Sequence, residues 1–174
     1  EGEIGKTARL YLDALKSYKK IKIDRIKRGE KIYDKGSTIY KGIYIDDDGK
    51  EKKIALKAAN EHTRRYLHQI VMMFWRMSVI FKDEESKKYF VNEYGFCGFD
   101  IIMDYYENGD LAAKFSLFKT GQEKLDLILE IAKGLFYLHR EKIIHRDMKP
   151  DNIFIDDGNK PRIGDLITMH PEEN

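Results

Sequence analysis

The strongest chemical signal in the chain is one run of eight residues, His145-Arg146-Asp147-Met148-Lys149-Pro150-Asp151-Asn152. It brings a carboxylate, an ammonium and a carboxamide into one short stretch. It directly follows a helical pattern over 121–140 and directly precedes an apolar strand pattern, Ile153-Phe154-Ile155. Asp147 taken alone reads as a surface carboxylate; the whole octapeptide, in a helix–loop–strand setting, does not arise readily by chance. Two further groups stand out. Lys57 closes Ile54-Ala55-Leu56-Lys57, and Asp165 opens Asp165-Leu166-Ile167. Any strand ending in Lys would match the first of these, but its place after a hairpin pattern and ahead of a helical one strengthens it.

The octapeptide resembles the catalytic loop of the protein kinase family, H-R-D-x-K-P-x-N. The resemblance implies phosphoryl transfer from ATP with Mg²⁺, in which positioning and charge neutralisation do nearly everything. By that likeness Asp147 would accept or orient the proton of the attacking hydroxyl, Asn152 would hold Mg²⁺, and Lys149 would steady the transferred phosphate. A Lys at 149 looks like the Ser/Thr-specific branch. His145 and Arg146 would be structural, Arg146 docking an activation segment. Ile54-Ala55-Leu56-Lys57 is similar to the family's third-strand V-A-I-K, so Lys57 would pair with the α- and β-phosphates. The stretch Ile101 to Leu111 looks like the hinge joining two lobes. Met103 would stand beside the adenine, the backbone of Asp104 and Tyr106 would bond its edge, and Asp110 would lie near the ribose. Ile39, Ala55, Met103 and Phe154 would sandwich the base, although each reads equally well as ordinary core. Asp165 stands where the family has the metal-binding D-F-G, here Asp-Leu-Ile, and its carboxylate can still ligate Mg²⁺.

Three departures from the pattern matter. The family's glycine-rich loop lets backbone N–H groups lie against phosphates because glycine has no Cβ. In Asp34-Lys35-Gly36-Ser37-Thr38-Ile39-Tyr40-Lys41-Gly42 only Gly36 remains in the turn, and Asp34 would add negative charge near the phosphates. The run Ser37 to Gly42 looks most like the tyrosine-kinase-like group, and in particular like the mixed-lineage kinase domain-like pseudokinases. Next, the glutamate that should pair with Lys57 is missing: no acidic residue stands between His62 and Phe81, Glu61 comes too early, and Gln69 is the best stand-in. That segment, 62–81, is unusually apolar and reads as a helix buried between sheet and N-terminal helix, or alternatively as a partner-docking surface. Finally, the chain stops nine residues after Asp165. The family's activation segment and lower helices would otherwise cover the apolar stripe of helix 121–140. Left bare, that stripe would expose Leu and Ile side chains at about 1.5–3 kcal/mol each. The expectation is a piece of a longer polypeptide, which the Glu1 start favours, or a partner chain on that face.

The elements that must position these groups are legible from periodicity. Ala8, Tyr11, Leu12, Leu15 and Tyr18 fit an amphipathic helix over 6–20 that Thr7 could cap. Lys16 to Lys31 holds eight basic residues against Asp24 and Glu30. This run reads chiefly as a solvated face, without the aromatic interleaving a nucleic-acid surface would carry. Over 31–57 the period falls to two, with turn signals at Lys35-Gly36-Ser37 and Asp46 to Lys50, predicting two or three antiparallel strands. Lys82 to Lys88 reads as a charged loop, 89–103 as two short strands, 111–118 as a short helix. Over 121–140 a helix carries a stripe of Leu125, Ile128, Leu129, Ala132, Leu135, Phe136, Leu138 and His139. The fold class is α+β in two lobes: an N-terminal helix and basic segment over 1–30, a strand-rich lobe over 31–104, and a hinge with part of a helical lobe over 105–174.

Composition closes off other classes. Of 174 residues, 42% are hydrophobic and 36% charged, enough for a core and against wholesale disorder. No apolar run approaches the ~18 residues of a spanning helix. Cys97 is the only cysteine, so no internal disulfide forms, which fits a reducing, cytoplasmic setting. The net charge of +2 names no special partner. The expected function is ATP-dependent Ser/Thr-type protein phosphorylation, with a pseudokinase that acts through protein contacts as the alternative. A third, weaker reading is a scaffold. Partners would be ATP and a protein substrate or protein partner, with no nucleic acid; candidate interfaces are helix 62–81 and the uncovered face of helix 121–140.

Overall fold

The computed structural model describes residues 20–35, 37–58, 78, 83–98, 100–166 and 170–171. They fall into two compact units: the described residues up to 58 with Asn92–Tyr105, and those from 78 to Val91 with the chain from Tyr106 onward. Apart from Lys20 and Ser78, the predicted helix 6–20, the segment 62–81 with Glu61 and Gln69, the Lys16 and Lys19 end of the basic run, and Gly36 lie outside the described residues.

The first unit is a five-stranded antiparallel sheet in the order β1-β2-β3-β5-β4. Its strands are β1 (Ile26–Lys35), β2 (Ser37–Ile45), β3 (Glu51–Ala58), β4 (Glu93–Cys97) and β5 (Asp100–Asp104). Strand β1 starts earlier than the period-two pattern predicted, at Ile26, which pairs with Tyr44. After Ile26 come Lys27 and Arg28, charged and exposed, so no apolar alternation marks this end of the strand. The turn from β2 to β3 forms where expected: the Asp46 carboxylate accepts the N–H groups of Lys50 at 2.9 Å and Asp48 at 3.1 Å, and Gly49 takes a φ of 79°.

Register decides the two faces of this sheet, because opposed residues in an antiparallel ladder project to the same side and neighbours along a strand to opposite sides. Ile54 and Leu56 of β3 point into a core with Ile21, Tyr44 and Ile102. Ala55 and Lys57 therefore point the other way. Lys57 is opposed by Ile39 on β2 and Ile101 on β5, and Ala55 by Met103.

The second unit carries the helices. A four-residue helix, α1 (Glu84–Lys87), stands where a charged loop was expected; the Asp83 side chain caps it by accepting the Glu85 N–H. Helix α2 (Leu111–Lys114) runs into a 3-10 turn at Phe115–Leu117. Helix α3 (Gly121–Arg140) opens with a capping box, in which Thr120 accepts the Glu123 N–H while the Glu123 carboxylate accepts the Thr120 N–H. Two small ladders complete the unit: β6 (Ile143–Ile144) with β9 (His170–Pro171), and β7 (Ile153–Ile155) with β8 (Pro161–Ile163).

The buried face of α3 differs from the predicted stripe. Leu127, Gly134 and Leu138 are the buried positions, and Leu127 joins Leu111, Phe118, Ile153 and Ile155 in a core. A Cβ on Gly134 would sit 2.6 Å from Ile163 Cδ1 and 3.2 Å from Tyr89 Cβ, so its absence lets α3 lie directly on β8. Of the predicted stripe, Leu125, Ile128, Leu129 and Phe136 are 49–60% exposed. Helix α3 has two apolar faces, and among the described residues only one carries buried side chains.

Candidate active site

The octapeptide lies in the second unit, on the connection from β6 to β7. Its form is set by four anchors. His145 is buried: its Nδ1 accepts the Asp147 N–H at 3.3 Å, so its Nε2 carries the proton and donates to the Gly164 carbonyl at 2.8 Å. Arg146 takes a φ of 68°. Met148 packs against the core of Leu111, Phe118 and Leu127. Pro150 to Asn152 form a 3-10 turn, with the Asn152 N–H donating to the Lys149 carbonyl at 3.0 Å. Proline suits the first position of such a turn because its missing N–H has no partner to lose there.

These anchors bring the three predicted catalytic residues together. One Asp147 carboxylate oxygen accepts Lys149 Nζ at 2.7 Å and Asn152 Nδ2 at 2.9 Å; Asn152 Nδ2 also donates to the Asp147 carbonyl at 2.8 Å. The Lys149 ammonium, and after it the Asn152 amide, hold the Asp147 carboxyl below its ordinary value, and Asp147 in turn raises Lys149. Asp147 is thus a carboxylate of low basicity, suited to accepting a hydrogen bond and orienting a hydroxyl.

Asp165 is set by the residue before it. The Gly164 N–H donates to the Asn152 carbonyl at 2.8 Å while its own carbonyl accepts from His145, so the peptide leading into Asp165 is held from both sides. A Cβ on Gly164 would fall 2.7 Å from Phe154 Cε2 and 3.0 Å from Val91 Cγ2. Asp165 follows with a φ of 54°. Sequence reading missed Gly164; the glycine immediately ahead of a candidate metal-binding carboxylate was the available signal. Asn152 Nδ2 is engaged by Asp147, which leaves its Oδ1 as the oxygen for a cation. An amide oxygen and a carboxylate are both donor types that Mg²⁺ accepts when phosphate oxygens and water complete its octahedron. Among the described residues no group of three or more His, Cys, Asp or Glu could hold a metal.

The remaining expected residues of this unit are placed as follows. The Tyr106 ring stacks on Phe154 with centroids 6.0 Å apart, and the Tyr106 carbonyl accepts the Gly109 N–H at 3.0 Å. Asp110 was expected near a ribose; its Oδ1 accepts the Ala113 N–H at 2.8 Å and caps α2. Asp110 also bridges Phe154 through the backbone.

In the first unit, Ile39, Ala55, Lys57 and Met103 share the sheet face opposite the core. Asp104 ends β5, its N–H donating to the Asn92 carbonyl at 3.0 Å. The hairpin that replaces the glycine-rich loop is closed by side chains. Asp34 accepts Thr38 Oγ1 at 2.9 Å and Lys31 Nζ at 2.6 Å. Lys31, then Thr38, lower the Asp34 carboxyl. The charge expected to oppose phosphate is therefore partnered inside the hairpin, by residues three before and four after it.

Comparison with known proteins matches this arrangement. A family model described as "Protein tyrosine and serine/threonine kinase" covers residues 32–170. A Zea mays sequence named as receptor protein kinase ZmPK1 is 31% identical over 171 residues, which is 90% of this chain and 19% of that protein. The human receptor-interacting serine/threonine-protein kinase 1 is 37% identical over 70 residues, 39% of this chain and 10% of that protein. The Arabidopsis thaliana L-type lectin-domain containing receptor kinase IV.1 is 29% identical over 142 residues, 74% of this chain and 20% of that protein. The chain spans a fifth or less of the length of these curated relatives. The narrower likeness to mixed-lineage kinase domain-like pseudokinases is carried by none of these three. Among the described residues no helix is long and apolar enough to cross a membrane.

Proposed function

We propose, for a chain that belongs to the protein tyrosine and serine/threonine kinase family, that the parent protein transfers the γ-phosphoryl group of ATP to a hydroxyl of a protein substrate, with Asp147, Lys149 and Asn152 as its catalytic residues. The observation that carries this reading is the single Asp147 oxygen held by both Lys149 Nζ and Asn152 Nδ2. Phosphoryl transfer asks a protein for positioning and charge more than for covalent chemistry, and this cluster supplies both. Asp147 orients the attacking hydroxyl and accepts its proton as the new P–O bond forms and the bond from the γ-phosphorus to the β,γ-bridging oxygen breaks, releasing ADP. Lys149 offsets negative charge on the transferred group. Asp165 and Asn152 would hold Mg²⁺, which would supply charge neutralisation to the phosphate oxygens. On the first unit Lys57 pairs with the α- and β-phosphates, and Ile39, Ala55 and Met103 form an apolar bed for adenine; on the second, Phe154 offers an apolar ring. The backbone of Asp104 and Tyr106 takes the adenine edge.

The test has two parts. Mg-ATP at a hundred times Kd should stabilise the full protein by about 2.7 kcal/mol through linkage, and Lys57→Met or Asp165→Asn should remove the rise in Tm. Asp147→Asn should keep nucleotide binding and lose phosphate transfer to protein. No shift at millimolar Mg-ATP overturns the nucleotide reading. Binding without any transfer, in wild type and variant alike, would instead favour a module that signals through shape.

A further inference from the structure

We propose that Tyr94 is a positioning residue for the adenine-binding edge, acting from the sheet face opposite the nucleotide. The inference rests on the nucleotide reading above but concerns a residue that reading does not use. Strand β4 carries a bulge: Glu93 pairs with Met103 and Gly95 with Ile102, so Tyr94 is the extra residue between two ladder positions. A bulge of this kind re-aims the side chain it carries. Here it directs the Tyr94 hydroxyl to the Asp104 carboxylate, to which it donates a hydrogen bond. Register shows why this happens behind the site. Asp104 opposes Ile54, whose side chain enters the core, whereas Met103 opposes Ala55 on the other face.

The Tyr94 ring is itself held. Tyr44, buried in the core, lies against it with centroids 5.2 Å apart. Lys52 Nζ sits 5.1 Å from its centroid and is paired with Asp46 at 3.3 Å. Burial first, and then the bond to Asp104, keep the phenol protonated well beyond neutral pH, so it remains a donor. The backbone around Asp104 is tied in parallel. Its N–H donates to the Asn92 carbonyl at 3.0 Å, and the Tyr105 N–H reaches the Lys53 carbonyl at 3.4 Å. With the side chain also clamped, the Met103–Asp104–Tyr105 peptides have one orientation to offer a ligand, and the Asp104 charge is held on the far side from a triphosphate. Without the hydroxyl, the carboxylate loses this hydrogen bond and the strand end loses one of its restraints.

The experiment compares two probes on the full chain: Mg-ATP, and Mg-tripolyphosphate, which lacks the base. Tyr94→Phe should weaken Mg-ATP about three- to tenfold, the range of one lost hydrogen bond, and leave tripolyphosphate affinity unchanged. Asp104→Ala removes the same bond from its other end and should reproduce the loss, with the double variant no weaker than either single one. If Tyr94→Phe does not fold, Asp104→Ala with the two probes carries the test alone. Equal losses for both probes would mean a general structural effect and overturn the proposal, as would unchanged Mg-ATP affinity or additive losses in the double variant. A wild type that binds tripolyphosphate but not ATP, or neither, would overturn the nucleotide reading itself, a result distinct from any change on substitution.

Discussion

The Asp147 carboxylate is held in place by an ammonium two residues away and an amide five residues away, and that pairing makes its chemistry testable. Lys149→Met should return the carboxyl toward the ordinary value of 3.8, leaving only the part of the depression that Asn152 sustains. A depressed carboxyl stabilises the fold fully above its unfolded value and loses that contribution as pH falls through its folded value. The acid-dependent fall of Tm should therefore be shallower in Lys149→Met, with the gap to wild type largest near neutral pH and narrowing as the pH falls. A carboxyl ¹³C titration reads the same shift directly, and an unmoved midpoint would show that Lys149 does not hold the group. Asp34 follows the same logic away from the catalytic loop. An acidic residue in a turn expected to face phosphate looks adverse until its partners, Lys31 and Thr38, are known.

Helix α3 shows how one missing atom seats an element. Gly134→Ala should gain about 1 kcal/mol of helix propensity, but the new Cβ meets Ile163 and Tyr89 inside a packed layer, and overpacking costs about 1–3 kcal/mol. A net loss is expected, with Tm falling by a few degrees. Gly121→Ala is the control: nothing lies within 4 Å of the added Cβ, so stability should hold or rise slightly. Equal responses in the two variants would mean that α3 is not seated on β8. The same contact reaches the active site, since β8 ends at Ile163 and the next two residues are Gly164 and Asp165.

The second apolar face of α3 sets what the chain presents to its surroundings. Leu125, Ile128, Leu129 and Phe136 recur at helical spacing and stay half exposed or more. Exposed apolar patches of this kind mark interaction surfaces or aggregation sites. Ile128→Lys and Phe136→Lys should each change the stability of this chain by no more than about 0.5 kcal/mol, while a combined variant lowers apolar-dye binding and self-association. Losses of about 2–5 kcal/mol, the usual result of emptying a packed site, would show that these side chains are covered.

How far this molecule could be read in advance follows from the range of the forces involved. The octapeptide, the Asp46 to Lys50 turn and the helix over 121–140 were legible because each is specified by residues within a few positions of one another: a capping pair, a turn carboxylate, a period of 3.6. The sharing of one face by Ile39, Ala55, Lys57 and Met103 could be expected from the family likeness, but is stated physically only by strand register. The rest needed the fold. Both faces of α3 are apolar, so hydrophobicity cannot choose between them; the space over Gly134, filled by Ile163 from a strand about thirty residues on, makes the choice. Charge hid the start of β1, where the pairing of Ile26 with Tyr44 outweighs the charged Lys27 and Arg28 that follow. No spacing rule links Tyr94 to Asp104, because a single bulged residue in β4 decides which way that hydroxyl points. Short-range order is set by propensity and local hydrogen bonds, whereas these pairings depend on which residues a distant segment brings opposite, and that is settled when the sheet and the helix close on their cores.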